Sequence, residues 1–196
     1  ISFPNLYQMK TKKIAIISGI VVLVLGLIAI SQTNTFGKNL ESIFAEKSYS
    51  QIEDYEVRNA GGTIFFSIKT KSDLPNTSED FEKSKVISFG YAWLEQDNDG
   101  SLTGVFSNVH TIGGFIGPWH SEIVRLVPND DGFCLFSEPM INEVSAGDNL
   151  VRTILSEDQL DFSSHEIDRA VSIVILENLS CSSGFEAKII SEHKKS

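Results

Sequence analysis

The sequence predicts an all-β fold, an antiparallel two-sheet sandwich of the immunoglobulin-like kind, preceded by one N-terminal hydrophobic helix. After about residue 60, apolar runs of roughly five to ten residues alternate with Gly, Pro, Asp and Asn turn residues. Helical periodicity is almost absent over the same stretch. Short strands at regular spacing with such turns are typical of a sandwich.

The N-terminal helix is predicted by residues 14–30, which read IAIISGIVVLVLGLIAI and carry no charge. At about 1.5 Å per residue they span roughly 25 Å, the short end of a membrane helix but longer than most signal-peptide cores. Two alternatives therefore stay open. Residues 14–31 form either an uncleaved membrane anchor or a signal peptide that is cleaved near Ser31.

Both alternatives place the rest of the chain outside the cytoplasm. Lys10, Lys12 and Lys13 precede the apolar segment, and the positive-inside rule keeps residues 1–13 in the cytoplasm as a basic n-region. Starting at Met9 gives a compact n-region, so we expect residues 1–8 to be untranslated. The predicted location is the cell membrane, with a single pass and the C-terminal domain outside, or the exterior after cleavage.

Three further regions are predicted. Residues 32–58 are expected to form a stalk with a short helix, because Leu40, Ile43 and Phe44 share one helical face. Residues 59–193 are expected to form the extracytoplasmic sandwich, and residues 194–196 a tail. The predicted strands cover residues 63–69, 86–95, 102–110, 119–127, 133–137, 150–155, 167–176 and 185–191, with hairpin turns at 97–100 and 128–132.

The charge of the exported part is strongly negative. Three of the 16 basic residues precede the apolar segment and all 26 acidic residues follow it, which leaves 13 basic residues and a net charge of −13. This excludes nucleic acid and anionic lipid surfaces as expected partners, and it suits a soluble exterior domain.

The two cysteines, Cys134 and Cys181, predict a disulfide, because an isolated pair outside the cytoplasm is more often a bridge than a metal or catalytic site. Two free cysteines are the alternative. Two N-x-S/T triplets begin at Asn76 and Asn178 and are candidate glycosylation sites.

His110, His120 and Glu122 are the candidate metal ligands. In a strand, His120 and Glu122 project to the same face, and His110 ends the preceding strand across a glycine-rich loop. Two imidazoles and a carboxylate suit zinc, copper or iron in an open three-ligand site. The alternative is an ordinary polar pair with His110 in a surface loop, and with no metal or other cofactor.

Other metal sites are less well supported. The acidic turn at residues 95–100 resembles the opening of a calcium loop, but the twelfth position holds Phe106 instead of an acid, and hairpin geometry explains the same residues. Type-1 copper needs a histidine between its cysteine and methionine, and none lies between Cys134 and Met140.

Catalytic motifs are lacking in the sequence, which has neither a Gly-x-Ser-x-Gly elbow nor an HExxH helix. Trp93 and Trp119 would suit a sugar-binding platform, but aromatic residues in strands are more often core residues. The sequence therefore predicts a protein that is not an enzyme.

A run of residues resembles small secreted β-sandwich proteins of archaea that lack an assigned activity. It comprises residues 90–93 (GYAW), His110, residues 119–124 (WHSEIV) and Cys134, and it covers about the middle quarter of the chain. Those proteins tend to carry a second histidine where this chain has Glu122. The resemblance implies export and a sandwich fold, and it implies nothing about a reaction.

The leading functional expectation is a membrane-anchored or secreted β-sandwich with a structural or binding role, with a protein at the cell surface as its candidate partner. One alternative is a copper- or zinc-binding exported protein. Another is an accessory subunit of a membrane complex, since Gly19 and Gly26 are seven residues apart and would line one helix face. The ligand, the oligomeric state and the biological process stay open.

Overall fold

The computed structural model describes residues 43–84, 86–130, 132–139, 143–160 and 167–194. All pairings between the described strands are antiparallel, and helices are short, so the all-β prediction is confirmed. Residues 43–45 are helical, and the only longer element of this kind described is α1 (Glu79–Ser84). The strands are β1 (Ile52–Ala60), β2 (Thr63–Thr70), β3 (Ser88–Gln96), β4 (Leu102–Ile112), β5 (Phe115–Ile116), β6 (His120–Pro128), β7 (Phe133–Pro139), β8 (Glu143–Gly147), β9 (Leu150–Ser156), β10 (Arg169–Glu177) and β11 (Phe185–Lys194). Single 3-10 turns lie at Ser48–Ser50 and Glu157–Gln159.

The larger sheet closes on itself. Its strands follow the order β3-β10-β11-β7-β6-β4, and β4 pairs back to β3, which makes a six-stranded closed barrel. The immunoglobulin-like pair of open sheets is therefore corrected to a barrel and one separate sheet. β3 and β4 form the closing hairpin over nine residue pairs, from Ser88↔His110 to Gln96↔Leu102.

The smaller sheet has the order β1-β2-β9-β8, and its apolar side packs against the outer face of the barrel. Alternation along β3 explains how one strand serves two cores. Tyr91 and Trp93 point outward into the core between barrel and sheet, whereas Ala92 and Leu94 point into the barrel. Trp93 is fully buried against Phe66 of β2, which makes it a core residue rather than part of an exposed sugar platform.

The barrel interior is apolar along most of its length. The inward-facing side chains include Leu102 and Phe106 of β4, Val124 and Leu126 of β6, and Ile173 of β10. Burial of these side chains supplies the main stabilisation of the barrel, at about 25 cal/mol per Å² of apolar surface removed from water.

The barrel has one narrow seam, between β11 and β7. Only two residue pairs join these strands, Glu186↔Cys134 and Ala187↔Phe133. At the same place Cys134 and Cys181 form the predicted disulfide, with Cα atoms 5.3 Å apart. The covalent bond therefore links β7 to the turn between β10 and β11 where the hydrogen-bonded ladder is shortest.

Part of the predicted stalk belongs to the folded domain. β1 occupies residues 52–60 and pairs with β2 along its length, so the stalk assignment of these residues is corrected. Phe44 is completely buried and contacts the rings of Tyr49, Phe81 and Phe89, which extends the folded unit further toward the N-terminus. Lys194, assigned to the tail, is the last residue of β11.

The predicted anchor or signal segment at residues 14–31 lies outside the described residues, as do residues 1–13 and 32–42. Within the part of the chain that the structure describes, no helix is both long and apolar enough to cross a membrane.

Candidate functional site

The barrel interior becomes polar at one end. On β4 the inward-facing column runs Leu102, Gly104 and Phe106 and then changes to Asn108 and His110. The antiparallel register places Asn108 opposite His120 and Phe106 opposite Glu122 of β6. The three predicted metal-ligand residues, His110, His120 and Glu122, therefore lie together at one end of the barrel. They lie within 12 positions of one another in the sequence. We call these three residues, together with Asn108, the barrel mouth.

His120 and Glu122 are in contact at the barrel mouth. The Nε2 atom of His120 lies 3.4 Å from Oε1 of Glu122, and the two side chains are 36% and 22% exposed. The other ring nitrogen of His120, Nδ1, lies 3.3 Å from the carbonyl oxygen of Pro118. A carbonyl oxygen can only accept a hydrogen bond, so this contact is a hydrogen bond when the imidazole proton is on Nδ1.

His110 lies beside His120. The centroids of the two imidazole rings are 5.1 Å apart, and the rings meet edge to face at 76°. The structure thus brings together the three side chains that the sequence singled out. In this arrangement, however, no three His, Cys, Asp or Glu side chains among the described residues form a preformed metal-binding group.

Asn108 is a member of the barrel mouth that the sequence reasoning missed. Its side chain is 2% exposed, and Oδ1 accepts a hydrogen bond from the Ser88 hydroxyl at 2.8 Å. Nδ2 is buried and makes no hydrogen bond in the described structure. Gly90 lies opposite Asn108 on β3, and a Cβ atom there would lie 2.2 Å from the Ser107 carbonyl oxygen and 2.7 Å from Cβ of Asn108, so the glycine allows β4 to approach β3 closely at this position.

A groove of about 880 Å³ lies on the outer wall of the barrel, beside the seam. Its floor contains Ile123 of β6 and Phe136 of β7, and Phe185 of β11 borders it. Phe136 and Phe185 are each 41% exposed, which is unusual for large aromatic side chains in a folded domain. The remaining lining residues are Glu95, Asp97, Thr103, Val124, Arg125, Leu135, Ser137, Glu138 and Ser183.

One edge of β7 is open along this groove. β6 pairs with β7 as far as Pro139, whereas β11 pairs only with Phe133 and Cys134. β11 begins at Phe185, so β7 extends past its end. On that side, residues 135–139 have no strand partner among the described residues, and residues 135–138 line the groove.

The acidic turn between β3 and β4 is held by internal hydrogen bonds. Asp97 accepts hydrogen bonds from the hydroxyls of Ser101 and Thr103, each at 2.8 Å. Asp99 accepts from the amide of Ser101 and from the guanidinium of Arg125. Hydrogen bonds from Ser101, together with the Arg125 charge, lower the pKa of Asp99. These carboxylates stabilise the hairpin turn, which is the alternative that the sequence left open against calcium.

The two sequons differ in their surroundings. Asn76 is exposed in the loop between β2 and α1. Asn178 is half-buried in the turn between β10 and β11, where its Nδ2 donates to Glu186 at 2.9 Å and its Oδ1 accepts from Ser180. The Asn178 amide is therefore already engaged in hydrogen bonds, whereas Asn76 presents its side chain to solvent.

Comparison with known proteins adds no relative. No protein-family model matches the chain, and no curated protein matches it significantly. The candidate sites therefore rest on their own geometry.

The residue pattern of the sequence indicates the histidines and Glu122 as a candidate site, but it does not indicate the groove. Phe136 and Phe185 each lie in an apolar strand pattern, and nothing in that pattern distinguishes an exposed aromatic residue from a core residue. The signal that was available is Pro139, because a proline at the end of a strand is typical of an edge.

Proposed function

We propose that this chain is a membrane-anchored or secreted extracytoplasmic protein that is not an enzyme and that binds an extended segment of another protein along β7. The observation that carries the proposal is the open edge of residues 135–139, which borders a groove with two exposed phenylalanines. The location rests on residues 14–30 and on the disulfide, which is typical of proteins outside the cytoplasm.

Strand addition is the binding mode that suits this geometry. An exposed strand edge offers unpaired N–H and C=O groups to a further strand, and pockets beside the edge receive alternate side chains of the added segment. Phe136 and Phe185 provide apolar contact area next to the edge, and aromatic side chains commonly anchor interfaces. The disulfide joins Cys134 of β7, directly before the open edge, to the turn between β10 and β11.

Charge indicates the kind of partner. The groove is lined by the carboxylates of Glu95, Asp97 and Glu138 against one guanidinium, that of Arg125. Arg125 is also paired with Asp99 at 2.7 Å, which partly neutralises it. A segment that alternates apolar residues with lysine or arginine therefore complements the groove, because opposite charges favour encounter and fix the register.

The test uses an eight-residue peptide of alternating valine and lysine with a fluorescent label, added to the full-length chain. We expect saturable binding by fluorescence anisotropy, and hydrogen-exchange protection of backbone amides in residues 135–138, since Pro139 has no N–H. A peptide with glutamate in place of lysine should bind at least about tenfold more weakly, because its charges repel the carboxylates of the groove. A tenfold change in affinity corresponds to about 1.4 kcal/mol of binding free energy.

Matched variants locate the site. Phe136→Ala should weaken binding of the valine–lysine peptide, whereas Phe115→Ala, at an exposed phenylalanine outside the groove, should leave it unchanged. Equal binding of both peptides, or equal effects of both substitutions, would contradict the proposed function. The same peptide with a central proline serves as a further control, because proline cannot donate to the added ladder.

A further inference from the structure

The barrel mouth contains a contact between two hydrogen-bond acceptors. When the His120 imidazole is neutral and its proton is on Nδ1, directed at the Pro118 carbonyl 3.3 Å away, Nε2 carries a lone pair. The Glu122 carboxylate has only acceptor oxygens when it is ionised, and Oε1 lies 3.4 Å from Nε2. Two acceptors at this distance repel each other unless a cation lies between them, either a proton on Nε2 or a metal ion.

The distance favours the metal ion. A hydrogen bond from an imidazolium to a carboxylate is normally about 2.7–2.9 Å long, which is clearly shorter than the observed contact. Two donors bound to one zinc ion at about 2.0–2.1 Å with tetrahedral angles are about 3.3–3.4 Å apart. His120 and Glu122 are thus spaced as two ligands of one tetrahedral ion. The hydrogen bond from Nδ1 to a backbone carbonyl is also the outer-shell contact that orients metal-bound histidines.

We propose that the barrel mouth binds a divalent transition-metal ion, Zn²⁺ or Cu²⁺, through His120, Glu122 and His110. His120 and Glu122 are already placed, and His110 joins them by a side-chain rotation, because its ring lies edge to face against that of His120. Without this rotation the three side chains, all of them described in the structure, do not form a ligand group. The site is independent of the groove and of the proposed partner segment.

Asn108 supplies a second, independent indication of a bound group. A buried amide N–H without a hydrogen-bond partner costs about 1–3 kcal/mol, and native proteins usually satisfy it. Asn108 lies opposite His120 on the inner face of the barrel, and its Nδ2 has no partner among the described residues. Three protein ligands leave a fourth tetrahedral position open, and a water held there by the metal would accept this hydrogen bond.

The ion has access to the site. The side chains of His120 and Glu122 are partly exposed, and His110 is half-buried at the end of the barrel. The apolar interior begins at Phe106, which is opposite Glu122, and continues with Val124, so the ligands lie between solvent and the apolar core. Such a position lowers the local dielectric constant and strengthens the attraction of the carboxylate for a cation.

The experiment titrates Zn²⁺ into the full-length chain, prepared without a polyhistidine tag, by isothermal calorimetry. We expect one ion per chain and a rise in Tm with zinc concentration, because a ligand that binds only the folded state stabilises it. Glu122→Gln preserves the side-chain shape and should weaken zinc binding at least about tenfold, as should His120→Ala and His110→Ala. His193→Ala is the matched control, since His193 packs against Tyr55 away from the cluster.

A spectroscopic measurement distinguishes this site from adventitious binding. With one equivalent of Cu²⁺, electron paramagnetic resonance should show two nitrogen ligands in the native chain and one in His110→Ala. Circular dichroism verifies that each variant is folded. The proposal is overturned if zinc does not bind saturably, or if Glu122→Gln and His193→Ala bind it as tightly as the native chain does.

Discussion

Tyr91 and Trp119 stack face to face, with ring centroids 6.0 Å apart and an angle of 8° between the ring planes. Tyr91 lies on the outer face of β3, and its buried hydroxyl donates to the carbonyl of Tyr49 at 2.7 Å. Trp119 lies in the segment between β5 and β6, directly before His120. The stack therefore fixes the segment that carries both Pro118 and His120 against the core.

Removal of this stack should destabilise the domain. Trp119→Ala loses the aromatic contact and part of the apolar burial, and we expect the free energy of unfolding to fall by about 2–3 kcal/mol. Urea unfolding, followed by circular dichroism, measures the change. Phe115→Ala is the control, because Phe115 is 78% exposed and its truncation should change stability by less than about 0.5 kcal/mol. Equal losses in the two variants would contradict the structural role of Trp119.

The disulfide should contribute strongly to stability. Cys134 and Cys181 are 47 residues apart, and closing a loop of this length stabilises the folded state by about 4 kcal/mol in the chain-entropy model. Replacement of both cysteines by serine should lower the urea midpoint accordingly. A reductant should destabilise the native chain and leave the double variant unaffected, since the sequence has only these two cysteines. Hydrogen exchange should rise first in β7, where the ladder to β11 is shortest.

Asp80 predicts a loss of stability in acid. Burial raises the pKa of its carboxyl, but hydrogen bonds from Lys47 and Tyr49, at 2.8 and 2.7 Å, outweigh this and hold the pKa below its ordinary value. Because the folded-state pKa is lowered, the stabilisation is present above about pH 4 and is lost as the pH falls toward the folded-state pKa. The stability difference between the native chain and Asp80→Asn should therefore shrink between pH 6 and pH 3.

Urea unfolding at several pH values measures this difference. Asp73→Asn, in the exposed loop before α1, is the matched control and should show no comparable pH-dependent difference. If the difference in the free energy of unfolding between the native chain and Asp80→Asn stays constant down to pH 3, the Lys47 and Tyr49 contacts do not stabilise the ionised carboxylate.

A buried triangle of hydroxyls joins the barrel to the small sheet. Ser107 bonds to Ser121 at 2.6 Å and also to Thr153, and Ser121 lies 3.2 Å from Thr153. All three side chains are at most 1% exposed. Each hydroxyl is satisfied mainly by the other two, so removing one leaves a buried partner without its bond.

This arrangement predicts non-additive substitutions. Thr153→Val alone should lower the free energy of unfolding by about 1–2 kcal/mol, whereas the triple variant Ser107→Ala, Ser121→Ala and Thr153→Val should lose less than the sum of the three single changes, since no unpaired group remains. The measurement is urea unfolding of the three single variants and the triple variant. Strict additivity would show that the hydroxyls act independently.

Strands with a regular alternation of side-chain types could be predicted from the sequence alone. The run around Phe89, Tyr91 and Trp93 and the turn at residues 97–100 were predicted as a strand and hairpin turn, and they form β3 and its connection to β4. Local alternation and turn chemistry act over a few residues, so they are readable without the rest of the chain. The disulfide was predicted from the number of cysteines and from the expected location outside the cytoplasm.

Edge strands escaped prediction. β1 buries Ile52 and Tyr55 but carries charged or polar residues at most other positions, and β8 has only half-buried side chains on one face. Both lie at the edges of the small sheet, where the strand gains its hydrogen bonds from one neighbour and little from burial. β1 and β8 are strands because they pair with β2 and β9, respectively, and their own sequences contain little of the apolar alternation that predicts a strand.

Closure of the barrel was decided by tertiary structure alone. Whether the six strands form an open sheet or a closed barrel depends on their combined twist and stagger, which no single segment of the sequence encodes. Pairing of β4 with β6 brings His110 beside His120 and places Asn108 opposite His120. The two-pair ladder between β11 and β7 leaves the edge of β7 open beside Phe136. The sequence identified the residue types that bear chemistry, and long-range strand pairing decided which of them meet.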